Sequence, residues 1–138
     1  KPTIDEVIPI FSEFCGNLPL VAHNASFDYK FLLSDVIKFK TPSPKGCVLD
    51  TLTLARKVFP SMPNYKLWTL VRYFNFPSGT FHRAEEDSSY CGLLFLKIIQ
   101  TLKERGEPHN EDALIKLIGK EKLIFPIFKE DNDQLDLF

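Results

Sequence analysis

Leu18-Pro19-Leu20-Val21-Ala22-His23-Asn24-Ala25-Ser26-Phe27-Asp28 reads as a short apolar strand, a tight turn and the opening of a helix. Leu18 to Ala22 is too brief for a helix and has the apolar run of a buried strand. Pro19 is tolerated near the strand start, where a missing N–H does least harm. His23-Asn24-Ala25 turns the chain. From about Ser26 to Lys38 the apolar residues Phe27, Phe31, Leu32 and Val36 gather on one side of a helix. The same join recurs where Cys47-Val48-Leu49 runs into Asp50-Thr51 and a helix that Pro60 stops. Strands that feed straight into helices are the α/β pattern.

The flanking segments are helical. Thr3 and Glu6 form a capping box, and Ile4, Val7, Ile8, Phe11 and Phe14 follow at helical spacing. Pro9 is expected to kink this helix and Gly16 to end it. Two prolines and a glycine make residues 40–46 a loop. Leu67 to Phe74 forms another helix, and a long apolar helix runs to about Arg105, where Gly106 and Pro108 end it. Asn110 caps a last short helix, and the chain from Lys120 has weak helical character. This reading yields many amphipathic helices and too few strands to cover them, since a two-stranded sheet is marginal. The expectation is an incomplete sheet whose further strands precede Lys1.

At 138 residues and 15.9 kDa the chain is one domain with room for a core. Its 44% hydrophobic and 25% charged residues are ordinary for a globular protein. A net charge of −1 excludes a protein that holds duplex DNA mainly by releasing counterions. A nucleic-acid enzyme remains open, because bound divalent cations supply positive charge locally. Cys15, Cys47 and Cys91 are odd in number and far apart, which predicts reduced, largely core-packed thiols in a cytosolic protein. No apolar run reaches membrane-spanning length.

Phe81-His82-Arg83-Ala84-Glu85-Glu86-Asp87 leads into the long helix. That helix fixes Asp87, and the loop lets His82 reach over it. Asp28 is placed alike, in the first turn after a strand. Two carboxylates on rigid elements can share Mg²⁺ or Mn²⁺, which prefer oxygen ligands. Two such ions stabilise the attacking and leaving oxygens of an in-line displacement, and His82 can take the proton from water. Asn24 and Phe27 flank Asp28 and can hold a nucleotide by hydrogen bond and packing. The bland readings are first-turn acids favoured by the helix dipole, His23 as a satisfied turn residue, Asp50 as a helix cap, and Trp68 and Tyr73 as core residues.

Residues 21–32 resemble the second motif of the DEDDh 3′–5′ exonucleases, and residues 81–87 resemble their third, His-x-Ala-x-x-Asp. Between them, Leu49-Asp50-Thr51-Leu52-Thr53-Leu54-Ala55-Arg56 is similar to the family's strand-to-helix join. The likeness is nearest to the epsilon proofreading subunit of bacterial DNA polymerase III and its relatives. It implies a ribonuclease H-like α/β exonuclease fold, partial over residues 1–119, with Asp28 and Asp87 as metal ligands and His82 as general base. It also implies two Mg²⁺ or Mn²⁺ ions per complete site, a single-stranded DNA 3′ end as substrate and a DNA polymerase subunit as partner. The family's first motif, Asp-x-Glu, is absent from these residues. With half the acidic ligands, the chain by itself is expected to hydrolyse little.

Residues 120–138 form a tail. Lys129 to Asp133 are polar, and Gln134-Leu135-Asp136-Leu137-Phe138 ends in an apolar plug. A flexible tether with such a plug is a docking peptide in physical terms. The pentapeptide resembles those with which bacterial proteins bind the DNA polymerase sliding clamp. There Gln134 would make polar contacts, and Leu135, Leu137 and Phe138 would fill the pocket. The sequence thus points to a cytosolic 3′–5′ exodeoxyribonuclease docked on the clamp. Its rivals are an RNA or general single-strand exonuclease and a non-catalytic clamp-associated adaptor.

Overall fold

The computed structural model describes residues 1–77 and 83–128, together with the backbone of residues 135 and 136. In chain order the elements are α1 (Ile4–Cys15), β1 (Leu20–Ala22), α2 (Ala25–Phe39), β2 (Val48–Asp50), α3 (Thr51–Val58) and α4 (Leu67–Tyr73). They continue with α5 (Arg83–Glu104), α6 (Glu111–Ile118), β3 (Ile127–Phe128) and β4 (Leu135–Asp136). β1 pairs with β2 in one small sheet, and β3 with β4 in another. The chain divides into two compact units. The first holds Lys1–Leu20, Ser26–Val48 and Lys122–Phe138, and the second holds Val21–Ala25 and Leu49–Glu121.

In the first unit α1 opens on the expected capping box, with the Thr3 N–H donating to Glu6 Oε2 at 3.0 Å. The helix runs unbroken through Pro9 to its cap at Gly16, whose φ is +55°. Its buried face is Ile8, Ser12 and Cys15. Of the apolar side read from the sequence only Ile8 is buried; Phe14 is 85% exposed and Ile4 50%. Periodicity identifies an apolar face but says nothing of what covers it. β1 starts at Leu20, two residues later than the run of apolar side chains, because Pro19 brings no N–H to a ladder. The Leu20 N–H instead makes the first bond, to the Cys47 carbonyl at 2.8 Å.

The stretch beyond Lys120 is a correction to the sequence reading, since it is extended. Val48 forms an antiparallel bridge with Leu123, and its N–H donates to the Leu123 carbonyl at 2.9 Å. Phe125 is buried, its ring 5.0 Å from that of Tyr29, and the Tyr29 hydroxyl donates to the Ile124 carbonyl. Ser43 Oγ donates to the Pro126 carbonyl at 2.9 Å. These side-chain bonds come from residues some eighty to ninety-five positions away. They outweigh the weak local helix propensity.

The second unit is helical. α3 packs against α5 and α6, and α4 against α5. Tyr90, Leu94, Ile98 and Leu102 recur every fourth residue and form the buried stripe of α5. Leu54, Ala55 and Val58 of α3, Leu70 and Val71 of α4 and Leu114 of α6 complete the core. Arg105 Nη1 donates to the Val58 carbonyl at 2.9 Å, closing the end of α3, and Asn110 Oδ1 caps α6. All three cysteines are free and buried, and burial pushes the Cys15 thiol up from its ordinary pKa. Among the described residues no helix is long and apolar enough to cross a membrane.

Gly46 shows how closely the backbone packs in the first unit. A Cβ there would lie 2.0 Å from the Leu18 carbonyl oxygen and 2.5 Å from its carbon. Main chain cannot yield as a side-chain tip does. Gly46→Ala is expected to destabilise the chain by roughly 2–4 kcal/mol in urea unfolding. Gly92→Ala, on the exposed side of α5 with nothing within 4 Å, is expected to gain about 1 kcal/mol.

Candidate functional site

Asp50 closes β2 and is only 8% exposed, although it is a carboxylate. A buried carboxylate must be paired or hydrogen-bonded, and Asp50 uses both oxygens. Oδ1 accepts from the Leu52 N–H at 3.1 Å, which caps α3. The same oxygen accepts from the N–H groups of Asn24 at 2.9 Å and Ala25 at 3.1 Å. Oδ2 accepts from the Thr53 hydroxyl at 2.8 Å. Asn24 has φ +65°, a left-handed conformation that asparagine adopts more readily than most residues. One carboxylate therefore holds the turn after β1, the first residue of α2 and the start of α3.

His23 braces the same turn. Its Nε2 lies 2.6 Å from the Tyr65 carbonyl oxygen and its Nδ1 2.8 Å from Thr51 Oγ1. A carbonyl can only accept, so Nε2 carries the proton, and Nδ1 of the neutral ring shares the Thr51 hydroxyl with the Ala22 carbonyl, which lies 3.2 Å from Thr51 Oγ1. Burial lowers the His23 pKa and keeps the ring neutral. The Tyr65 carbonyl and the Asp50 charge act in the opposite direction. The cap at Asp50 and the satisfied His23 are as the sequence suggests. The bond from Asp50 back to the α2 start is not. It joins residues 25 and 26 positions apart, and no local spacing signals it.

α2 carries Asp28 in its first turn, exposed, with Phe27 beside it 60% exposed and edge-on to Phe31 at 4.9 Å. Asp28 and Phe27 belong to the first unit, Asn24 and Asp87 to the second. Asp87 lies exposed one turn into α5, just after the first-turn acids Glu85 and Glu86. The Tyr90 hydroxyl donates to Glu86 Oε1 at 3.1 Å. His82, Gln134, Leu137 and Phe138 lie outside the described residues, and of Leu135 only the backbone is described, paired with Phe128.

Among the described residues no three His, Cys, Asp or Glu side chains gather to hold a metal ion. Nor do the Asp28 and Asp87 carboxylates take a hydrogen-bond or ion-pair partner among them. Two exposed carboxylates borne on helices are hard oxygen donors of the kind Mg²⁺ and Mn²⁺ accept, so the residues fit those ions chemically. Trp68 and Tyr73 depart from the core role read from the sequence: they are 51% and 66% exposed, because α4 is short and buries Leu70 and Val71 instead.

A family model described as Exonuclease matches residues 1–95. The chain is 41% identical over 105 residues to a DNA polymerase III PolC-type protein of Caldanaerobacter subterraneus, covering 76% of this chain and 7% of that protein. It is 36% identical over 102 residues to the DNA polymerase III subunit epsilon of Aquifex aeolicus, covering 74% of this chain and 50% of that subunit. The chain thus spans half or less of these relatives' length. A solved structure, exonuclease X in complex with 5′ overhanging duplex DNA, shares the fold with a TM-score of 0.61 at 24% identity. The match covers 86% of this chain and 64% of that one.

Removing the Asp50 acceptor leaves buried N–H groups unpaired. Asp50→Ala is expected to destabilise the chain by about 2–4 kcal/mol, and Asp50→Asn, which keeps one acceptor oxygen, by less. Urea unfolding measures both. Amide exchange at Ala25 should rise in Asp50→Ala more than exchange at the α5 core.

Proposed function

We propose, for a chain that belongs to the Exonuclease family and has its ribonuclease H-like α/β fold, a 3′–5′ exonuclease domain that removes nucleotides from single-stranded DNA ends. What carries this reading is the placement of Asp28 and Asp87. Each is an exposed carboxylate fixed near the start of a helix, in segments matching the second and third motifs. Asp28 and Asp87 would hold divalent cations, Mg²⁺ or Mn²⁺. When bound, these supply Lewis-acid stabilisation of charge on the phosphodiester oxygens. His82 takes the proton from the attacking water, and its place in the residue before α5 suits that role. Asn24, held in its left-handed turn by Asp50, and exposed Phe27 bind the terminal nucleotide.

The relatives named as DNA polymerase III components support proofreading over repair and DNA over RNA. They also support a cytosolic setting with a polymerase subunit as partner. A second reading, a non-catalytic clamp-associated adaptor, is favoured by one observation: these residues contain no Asp-x-Glu.

Digestion of a 5′-labelled single strand with Mn²⁺ tests the enzyme. Slow release of mononucleotides from the 3′ end is expected. Asp28→Asn, Asp87→Asn and His82→Ala should each reduce it by roughly a hundredfold or more. Equal ladders from wild type and all three variants would overturn the assignment.

Residues 134–138, at the end of the 120–138 tail, are proposed as a clamp-docking peptide, with Gln134, Leu135, Leu137 and Phe138 making the contacts. Truncation after Asp133 should abolish co-purification with a bacterial sliding clamp. Undiminished capture would refute the docking assignment.

A further inference from the structure

Trp68 is the chain's single tryptophan, and it stands 51% exposed on α4. Its surroundings lie within the second unit and reach the turn after β1 and the α5 helix. Tyr65, three residues earlier, accepts from His23 Nε2 in the turn after β1. The Trp68 ring meets Tyr90 of α5 edge-on, with centroids 6.0 Å apart and planes at 71°. Tyr90 in turn bonds Glu86 and follows Asp87 by one helical turn. The Arg72 guanidinium lies 5.5 Å from the Trp68 ring centroid, and Lys66 at the N-cap of α4 is exposed.

A half-exposed indole gains from having its apolar face covered, and a flat ring covers it most fully. An exposed guanidinium directly beside it suits a phosphate-bearing partner better than an apolar peptide face. From this juxtaposition we propose that Trp68 is a nucleobase-stacking platform for single-stranded nucleic acid, with Arg72 and Lys66 contacting the phosphates of the strand. The proposal rests on the exonuclease reading and adds to it a binding residue beside the Asp87 helix. Stacking on an aromatic ring tolerates any base, as an enzyme that must accept every 3′ terminus requires.

The single tryptophan makes the test direct. In EDTA, a short oligothymidylate is titrated against the 138-residue chain while indole fluorescence is followed. Saturable quenching is expected, with much less from an abasic strand of equal length and charge. Binding of a fluorescent oligothymidylate should weaken roughly tenfold in Trp68→Ala and stay within about twofold in Trp68→Phe. Equal quenching by the abasic strand, or unchanged affinity in Trp68→Ala, overturns the proposal. Should Trp68→Ala fail to fold by circular dichroism, the base-dependence of quenching in the wild type decides. Quenching together with digestion that is equal in wild type and in Asp28→Asn, Asp87→Asn and His82→Ala leaves the platform standing and removes the nuclease assignment. Digestion without quenching does the reverse.

Discussion

The buried carboxylate of Asp50 is the constraint on which the second unit is built. It satisfies donors from two segments that the sequence holds far apart, and it does so with each oxygen occupied. The acceptor count explains why an acid stands at the end of a buried strand. A side chain without an acceptor oxygen at that position would leave amides of the β1 turn and the α3 start unpaired in the interior. The left-handed Asn24 and the first residue of α2 are consequences of this one group.

Much of the architecture was legible because its signals are local. The capping box at Thr3, the caps at Asp50 and Asn110, Gly16 at a helix end and the fourfold spacing from Tyr90 to Leu102 all act within one or two turns. The strand-to-helix joins were legible for the same reason, and they led to the fold that the family match and the structural neighbour bear out. Asp28 and Asp87 stand near the starts of α2 and α5, as their local sequence suggests.

What the sequence hid is non-local. The apolar side of α1 is as periodic as any core helix, yet Phe14 and Ile4 remain exposed in the first unit. The segment from Leu123 to Phe128 has no strand pattern of its own and is shaped by Val48, Tyr29 and Ser43. Trp68 looked like core because α4 is amphipathic, but a helix this short has room to bury little more than Leu70 and Val71. For the Leu123–Phe128 segment the deciding partners lie tens of residues away, outside the range of any window read along the chain.

The β3–β4 pair has a kinetic and energetic side. Ile127 and Phe128 form an antiparallel ladder with Leu135 and Asp136. Any receptor that takes this terminus as a lone extended strand must first peel those backbone bonds apart. The intramolecular ladder is thus a built-in competitor, and apparent affinity falls by the fraction of molecules in which it is closed.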